Sequence, residues 1–270
     1  MVKTVLVTGT SAGIGKATAI LLAQNGYNVY GAARRTEKMQ DLINYGIKPI
    51  ALDVTNDESV TACVEQIFKE AGRIDILVNN AGFGSYGAIE DVTMQDAKYQ
   101  LEVNVFGAMR LTQLVIPKMR ENKYGKIVNL SSVGGKIASP LGGWYHASKF
   151  AIEALSDAMR LEVKQFGINV IVIQPGGTKS EWGDIAVESL MRVSGKTAYA
   201  GLVAAFEKSF KKLAGNVPEP IVIAELIKKS IEAKNPKTRY AGGYMAKPML
   251  FLRSILSDKM FGRILMSQMK

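Results

Sequence analysis

Two kinds of hydrophobic pattern alternate along the chain. Short apolar runs end in Gly, Asn, Asp, Ser or Arg, and between them lie longer stretches with apolar residues three or four apart. Thr4 to Val7 is an unbroken run, which predicts a strand covered on both faces. It leads directly into a glycine-rich segment, Thr8 to Gly15, and Ala17 to Gln24 then reads as a helix. Further strands are predicted at Asn28 to Ala32, Pro49 to Leu52, Asp75 to Val78, Lys126 to Leu130, Asn169 to Gln174 and Thr238 to Ala241. Between them, Val60, Val64, Ile67, Phe68 and Ala71 mark a helix over Asn56 to Ala71. Trp144 to Phe166 predicts a long helix, and another helical region surrounds Asn104.

Strands alternating with helices predict an α/β fold. The expectation is one doubly wound domain, with a mostly parallel sheet of about seven strands and helices on both faces. Ligands of such sheets sit outside the carboxyl ends of the strands. Here the polar segments follow the strands: Arg34-Arg35, Asp53, Asn79 to Gly82, Ser131-Ser132 and Pro175-Gly176. They are expected to converge on one crevice.

Composition narrows this picture only modestly. A chain of 270 residues, 47% hydrophobic and 21% charged, suits one sizeable domain. No apolar run reaches transmembrane length, and the apolar stretch in Met1 to Thr8 is too short for a signal peptide. The single cysteine, Cys63, excludes an intrachain disulfide and predicts a cytoplasmic location. Cys63 lies on an apolar helical stripe, so a buried thiol is expected. The net charge of +10 is diffuse outside the C-terminal tail. No nucleic-acid module accompanies it, so no nucleic-acid partner is expected. No metal site is expected either.

Candidate chemistry begins at the glycines. Gly9 permits a tight turn, Gly13 lets the backbone approach a pyrophosphate, and Gly15 allows close helix packing. The following helix N-terminus offers N–H groups and positive dipole to phosphates, so a dinucleotide is the favoured ligand. An acidic residue closing the second strand would select NAD. This chain has Ala33, Arg34 and Arg35 there. A guanidinium grips a 2′-phosphate by charge-assisted hydrogen bonds, which points to NADP(H), with Arg34 the main contact. Asp53 is either an acceptor for the adenine amino group or the N-cap of the next helix.

Tyr145 and Lys149 stand four residues apart, and Ser132 lies thirteen residues before the tyrosine. On a helix this spacing puts phenol and ammonium on one face. A desolvated cation nearby lowers a phenol from its usual value near ~10. A tyrosine tuned in that way exchanges a proton with a carbonyl or alcohol oxygen, which Ser132 Oγ also holds. His146, the only histidine, points about 100° away from Tyr145 on such a helix. It is expected in helix packing or at the surface.

Taken together, these residues resemble the short-chain dehydrogenase/reductase family over residues 3 to about 180. The resemblance rests on TGxxxGxG at Thr8 to Gly15, Asp53, NNAG at Asn79 to Gly82, Asn104, Ser132, YxxxK at Tyr145 to Lys149, and Pro175-Gly176. The glycine spacing is similar to that of the compact oxidoreductase branch. Asn79 to Gly87 and Tyr145 to Phe150 look most like its 17-beta-hydroxysteroid dehydrogenase-like and retinol dehydrogenase-like members. The resemblance implies a Rossmann domain and several roles. Tyr145 would be the acid in carbonyl reduction and the base in alcohol oxidation. Lys149 would bind the nicotinamide ribose and lower the tyrosine pKa, and Ser132 would orient and polarise the substrate oxygen. Asn104 would hold a water linking Lys149 to solvent. Asn80, Ala81 and Gly82 would line the adenosine ribose and pyrophosphate. Pro175, Gly176, Thr178 and Ser180 would hold the nicotinamide carboxamide. Ser11, Ile14 and Val54 complete the cofactor-binding set. Two departures stand out: Ser180 replaces the family's frequent Thr, and Ala12 stands where some NADP enzymes carry a basic residue. Ser131 is a rival to Ser132, which the spacing to Tyr145 favours. A homodimer or homotetramer is also implied.

The segment 181–216 is expected to form a substrate lid over the domain of residues 1–245. Its Trp182, Ile185, Leu190, Val203, Phe206 and Phe210 point to a hydrophobic carbonyl or alcohol, such as a steroid, retinoid or fatty compound. The tail 246–270 is expected to be an amphipathic helix. It either docks beside the cleft or on another subunit, the favoured reading, or lies on anionic lipid. The function expected is an NADP(H)-dependent oxidoreductase. The alternatives are a cofactor-binding sensor or scaffold without turnover, and a membrane-surface protein.

Overall fold

Strands β1 (Thr4–Thr8), β2 (Asn28–Ala33), β3 (Lys48–Ala51), β4 (Ile76–Asn79), β5 (Gly125–Leu130), β6 (Ile168–Pro175) and β7 (Arg239–Gly242) form one sheet. Their order is β3-β2-β1-β4-β5-β6-β7, and every pair is parallel. The computed structural model describes residues 2–215, 217–267 and 269, the side chains of 212–214 excepted. Met1, Asn216 and Lys270, which bound predicted segments, lie outside the described residues. The helices are α1 (Gly13–Gln24), α2 (Asp57–Ala71), α3 (Met94–Leu101), α4 (Gly107–Glu121), α5 (Gly143–Val163), α6 (Glu181–Ser194), α7 (Ala200–Ala214), α8 (Ile221–Glu232), α9 (Ala246–Ile255) and α10 (Asp258–Ser267).

The unbroken apolar strands serve two cores, because successive side chains leave a strand on opposite faces. Leu6 pairs in register with Tyr30 and Leu77, and Leu77 with Ile127. These residues pack with Val60, Leu111 and Met159 of α2, α4 and α5. Val5 and Val7, with Val29, Val78 and Val128, turn to the other face. There they meet Leu22 of α1 and Ile223 and Ile227 of α8. Cys63 is buried in the first core, and burial pushes its thiol up to about 12. It is the inert structural thiol that its position predicts.

The chain winds outward from β1 to β3 and then returns to place β4 on the other side of β1. Loops leaving β1 and β4 therefore diverge, and the crevice opens between them. The helix Gly143–Val163 is fixed beside that crevice from below. Asn79 Nδ2 donates to Asn129 Oδ1 at 2.9 Å and to Thr112 Oγ1 at 3.1 Å, and Asn129 Nδ2 donates to Ser156 Oγ at 2.9 Å. This buried chain of amides and hydroxyls ties β4 and β5 to α4 and α5. Nearer the active end of the helix, the buried Glu153 pairs with Arg239 at 2.8 Å and accepts from Gln174 Nε2 at 2.9 Å.

The structure departs from the sequence expectation in several places. α1 begins at Gly13 rather than Ala17, because the glycine segment itself enters the helix. Thr36–Tyr45 is a 3-10 helix that buries Met39 and Leu42. The region around Asn104 is a π-helical turn, Glu102–Phe106, between α3 and α4. The tail is two helices, interrupted at Leu256 and Ser257. Ala246 and Phe261 are buried, so the tail docks in part on its own chain. Among the described residues no helix is long and apolar enough to cross a membrane.

Candidate active site

One wall of the crevice is backbone. Gly9 and Gly13 sit at φ 71° and 55°, the left-handed region open to glycine. α1 starts after Ala12 with no side-chain cap and no acid in its first turn. Its leading N–H groups and dipole are therefore left for an anion. Gly15 has no space for a Cβ, which would strike the Gly9 carbonyl and Asn80 Nδ2. Asn80 turns its amide into the loop, donating to Thr8 O at 2.8 Å and Gly9 O at 3.3 Å. Thr8 Oγ1 accepts from the Asn80 and Ala81 N–H groups at 3.0 and 2.9 Å. The side chain of Asn80 thus braces the cradle. Ile14 and Val54 also face inward. Ile14 packs on the second core, and Val54 is buried in the first beside Gly107.

The rim of this wall is cationic. Arg34 Nη1 donates to the Tyr99 hydroxyl at 2.8 Å, and Arg35 Nη2 to Ser11 Oγ at 3.0 Å. Both arginines are exposed. Asp53 Oδ1 accepts from the N–H and hydroxyl of Thr55 at 2.9 and 2.8 Å. Burial raises the Asp53 carboxyl, but the Thr55 bonds and the nearby Arg34 outweigh it and hold it below its ordinary value. Asp53 does not cap α2: Asn56 does, accepting from Ser59 N at 2.7 Å. A glycine-lined helix N-terminus beside two exposed guanidiniums fits a nicotinamide dinucleotide.

Ser132, Tyr145 and Lys149 do come together at the end of β5. Ser132 Oγ accepts from Gly134 N at 3.0 Å, donates to Pro175 O at 3.4 Å, and lies close enough to the Tyr145 phenol to lower its pKa. Ser131 is buried and donates to the Ser132 carbonyl, whereas Ser132 lies beside Tyr145. Lys149 Nζ donates to Leu130 O at 2.8 Å and stands 5.9 Å from the Tyr145 ring centre. The expected lowering of the phenol by this cation is not seen. Burial pushes Tyr145 up to about 12, against a lowering influence from the Ser132 bond. Burial likewise brings Lys149 down to about 8. Both groups lie under a closed roof, and the ammonium is aimed at a carbonyl, so desolvation dominates each.

The Asn104 side chain ties three neighbours together. Nδ2 donates to Phe83 O at 2.9 Å and Ser148 Oγ at 3.0 Å, and Oδ1 accepts from Phe83 N at 3.0 Å. The amide braces the strand β4 exit against α5. A Cβ on Gly82 would stand 3.1 Å from Asn104 Oδ1 and 3.7 Å from Lys149 Nζ. Gly82 therefore borders the same hollow. His146 is buried, with Nε2 2.9 Å from Ser139 Oγ and Nδ1 3.1 Å from Gly134 O. It packs, as predicted, and in doing so pins the turn that follows Ser132.

The opposite wall is made of side chains. The Tyr145 ring lies 5.1 Å from Trp182 and 5.7 Å from Tyr86, and Phe206 lies 5.7 Å from Tyr86. Leu190 and Val203 of α6 and α7 are buried in this cluster. The roof leaves Tyr145 only 7% exposed. Thr178 Oγ1 turns back to Gly176 O at 3.2 Å, and Ser180 stands before α6 without capping it. A Cβ on Gly13 would lie 3.2 Å from Ser180 Cβ, so the roof starts against the glycine loop. Tyr86, Glu153 with Arg239, and Glu181 were not singled out from sequence. Tyr86 stood inside the resemblance segment, but nothing local marks it as part of a roof.

Comparison with known proteins agrees with this geometry. The short chain dehydrogenase family model matches residues 3–189. A 3-ketodihydrosphingosine reductase of Bacteroides thetaiotaomicron is 38% identical over 93% of this chain and 91% of its own. An NADPH-dependent 3-dehydrocapnine reductase of Ornithobacterium rhinotracheale is 31% identical over 98% of this chain and 96% of its own. The crystal structure of a short-chain dehydrogenase from Streptomyces avermitilis superposes with a TM-score of 0.81 at 32% identity, covering 94% of this chain and 93% of that one. With the phosphate cradle at β1, the Ser132–Tyr145–Lys149 cluster at β5 and these matches along most of its length, the chain belongs to the short chain dehydrogenase family of oxidoreductases.

Proposed function

We propose that the chain reduces a ketone carried on a long apolar chain to the secondary alcohol, using NADPH. The observation that carries this reading is the buried Tyr145 phenol, beside Ser132 and beneath an aromatic roof of Tyr86, Trp182 and Phe206. A phenol pushed up to about 12 is held protonated at neutral pH, which is the state an acid must start from. The apolar roof favours a hydrophobic substrate and excludes water once closed. The two relatives' names add that ketones at a 3-position are reduced on scaffolds of this kind.

The nicotinamide, when bound, supplies the hydride to the carbonyl carbon. Ser132 holds the carbonyl oxygen and Tyr145 gives it the proton, which completes the alcohol and leaves oxidised cofactor. Lys149 would stabilise the phenolate that remains and bind the nicotinamide ribose. Gly9, Gly13 and the α1 N–H groups would hold the pyrophosphate, with Asn80 bracing their loop. Ala81, Gly82 and Asp53 would line the adenosine side, and Gly176, Thr178 and Ser180 the carboxamide side. Arg34 and Arg35 would take the 2′-phosphate. Phe106 and Leu114 near α4 and Phe150 and Leu161 on α5 are exposed, which supports assembly into a homodimer or homotetramer through those helices.

The test is NADPH consumption with 3-ketodihydrosphingosine and with shorter 3-ketones. Reduction that favours the long chain and vanishes in Tyr145→Phe is expected. A protein that binds NADPH yet reduces none of these ketones, or a Tyr145→Phe variant that keeps turnover, defeats the reading.

A further inference from the structure

Glu181 opens α6, and its carboxylate is shared by two cations from the end of β2. Oε2 lies 2.9 Å from Arg35 Nη2, and Oε1 lies 3.2 Å from Lys38 Nζ. The same Arg35 nitrogen donates to Ser11 Oγ at 3.0 Å. Three segments therefore meet at one carboxylate: the glycine loop, the β2 end and the first turn of the roof. The next residue is Trp182, packed on Tyr145. Tyr145 is buried beneath Trp182 and Tyr86, so a movement of this end of α6 would open the phenol to a ketone. The hold on that end is half-exposed and ionic, with Glu181 and both cations 43–46% exposed. Pairs of that kind are weak and exchangeable.

We propose that Glu181 is a cofactor-discriminating residue that acts as a latch on the roof. Its carboxylate holds Arg35, one of the two guanidiniums assigned to the 2′-phosphate, together with Lys38 beside it. A phosphate offers more charge and more acceptor oxygens than a carboxylate, so it takes Arg35 and Lys38 from Glu181. The released carboxylate is then repelled by the phosphate, and the α6 end carries Trp182 away from Tyr145. A cofactor without the phosphate leaves the latch closed. The inference rests on the NADP reading above and adds to it a residue on the substrate side that senses the cofactor.

The test uses a Trp144→Phe background, in which Trp182 is the remaining tryptophan of the two. Acrylamide quenching of Trp182 is measured alone, with adenosine 2′,5′-bisphosphate and with 5′-AMP, and cofactor affinities are measured by calorimetry. The bisphosphate should expose Trp182 and 5′-AMP should not. Glu181→Gln should expose Trp182 without any ligand and tighten NADPH about two- to fivefold, the range of one exposed ion pair, with NADH unchanged. If Glu181→Gln leaves both quenching and the NADPH-to-NADH ratio at wild-type values, while Arg34→Ala still weakens NADPH, the latch is wrong and the cofactor reading stands. If the wild type binds NADH as tightly as NADPH and the bisphosphate does not change quenching, the cofactor reading falls and the latch with it.

Discussion

The two walls of the crevice are made in different ways. The cofactor wall is backbone: Gly9 and Gly13 in left-handed conformations, uncapped N–H groups at the start of α1, and a Thr8–Asn80 brace. The substrate wall is side chains: Tyr86, Trp182, Leu190 and Phe206 packed over Tyr145. A backbone cradle tolerates few residues at few positions, since a Cβ at Gly15 meets the loop itself. A roof of side chains accepts many apolar combinations of similar volume. One wall is therefore specified residue by residue, and the other only by character and size.

The largest expected effect separates chemistry from both walls. Tyr145→Phe should lower kcat by roughly 10²–10⁴-fold, the usual value of a positioned acid, while NADPH binds as before. Steady-state rates beside calorimetry check this, and a lost cofactor affinity would mean that the ring is holding the walls together. Gly15→Ala comes next. The added methyl displaces the cradle, so binding of NADPH and NADH should fail together, with a stability loss of about 1–3 kcal/mol for overpacking. Denaturant melts with and without cofactor measure both, and a selective loss of one cofactor contradicts a shared cradle. Arg34→Ala should weaken NADPH about tenfold or more and leave NADH alone, as expected for one charge-assisted contact. Trp182→Ala should change the substrate wall only. Long-chain ketones should lose kcat/KM severalfold while short ones keep theirs, and an equal loss for both would place Trp182 in the chemistry.

The smallest effect reads the electrostatics of the closed site. Burial lowers Lys149 from 10.5 to about 8 in the fold. Between those values the unfolded chain holds a proton that the folded chain has released. Stability contributed by this group therefore rises with pH across that window. Tyr145, raised from 10.0 to about 12, keeps a proton that the unfolded chain loses, and so acts in the opposite sense above pH 10. The melting temperature of the cofactor-free wild type, relative to Lys149→Met, should climb from pH 8 to 10. A flat difference would mean that Lys149 is solvated, and the roof open.

Much of the fold was legible because its signals are local. Leu6 and Val7 serve opposite cores, yet both belong to an unbroken apolar run, the mark of a strand covered on two faces. Cys63 was placed in the core by its position on an apolar stripe. Other features depend on partners far away in the chain. Glu153 looks like an ordinary helix charge until β7 brings Arg239 to it. The split at Leu256–Ser257 was masked because apolar spacing continues across it.

What the sequence by itself determined is the order of the strands, the glycine turn that opens α1, and the nearness of Ser132, Tyr145 and Lys149. Each depends on residue types at short, fixed intervals, where helix and strand periods set the geometry. Only the tertiary structure decided the state of that cluster. It aimed Lys149 at Leu130 O, engaged Asn104 with Phe83 and Ser148, and closed Trp182 over Tyr145. The physical reason is desolvation: how far a proton's affinity moves depends on what covers the group, and the cover comes from a segment nearly forty residues downstream.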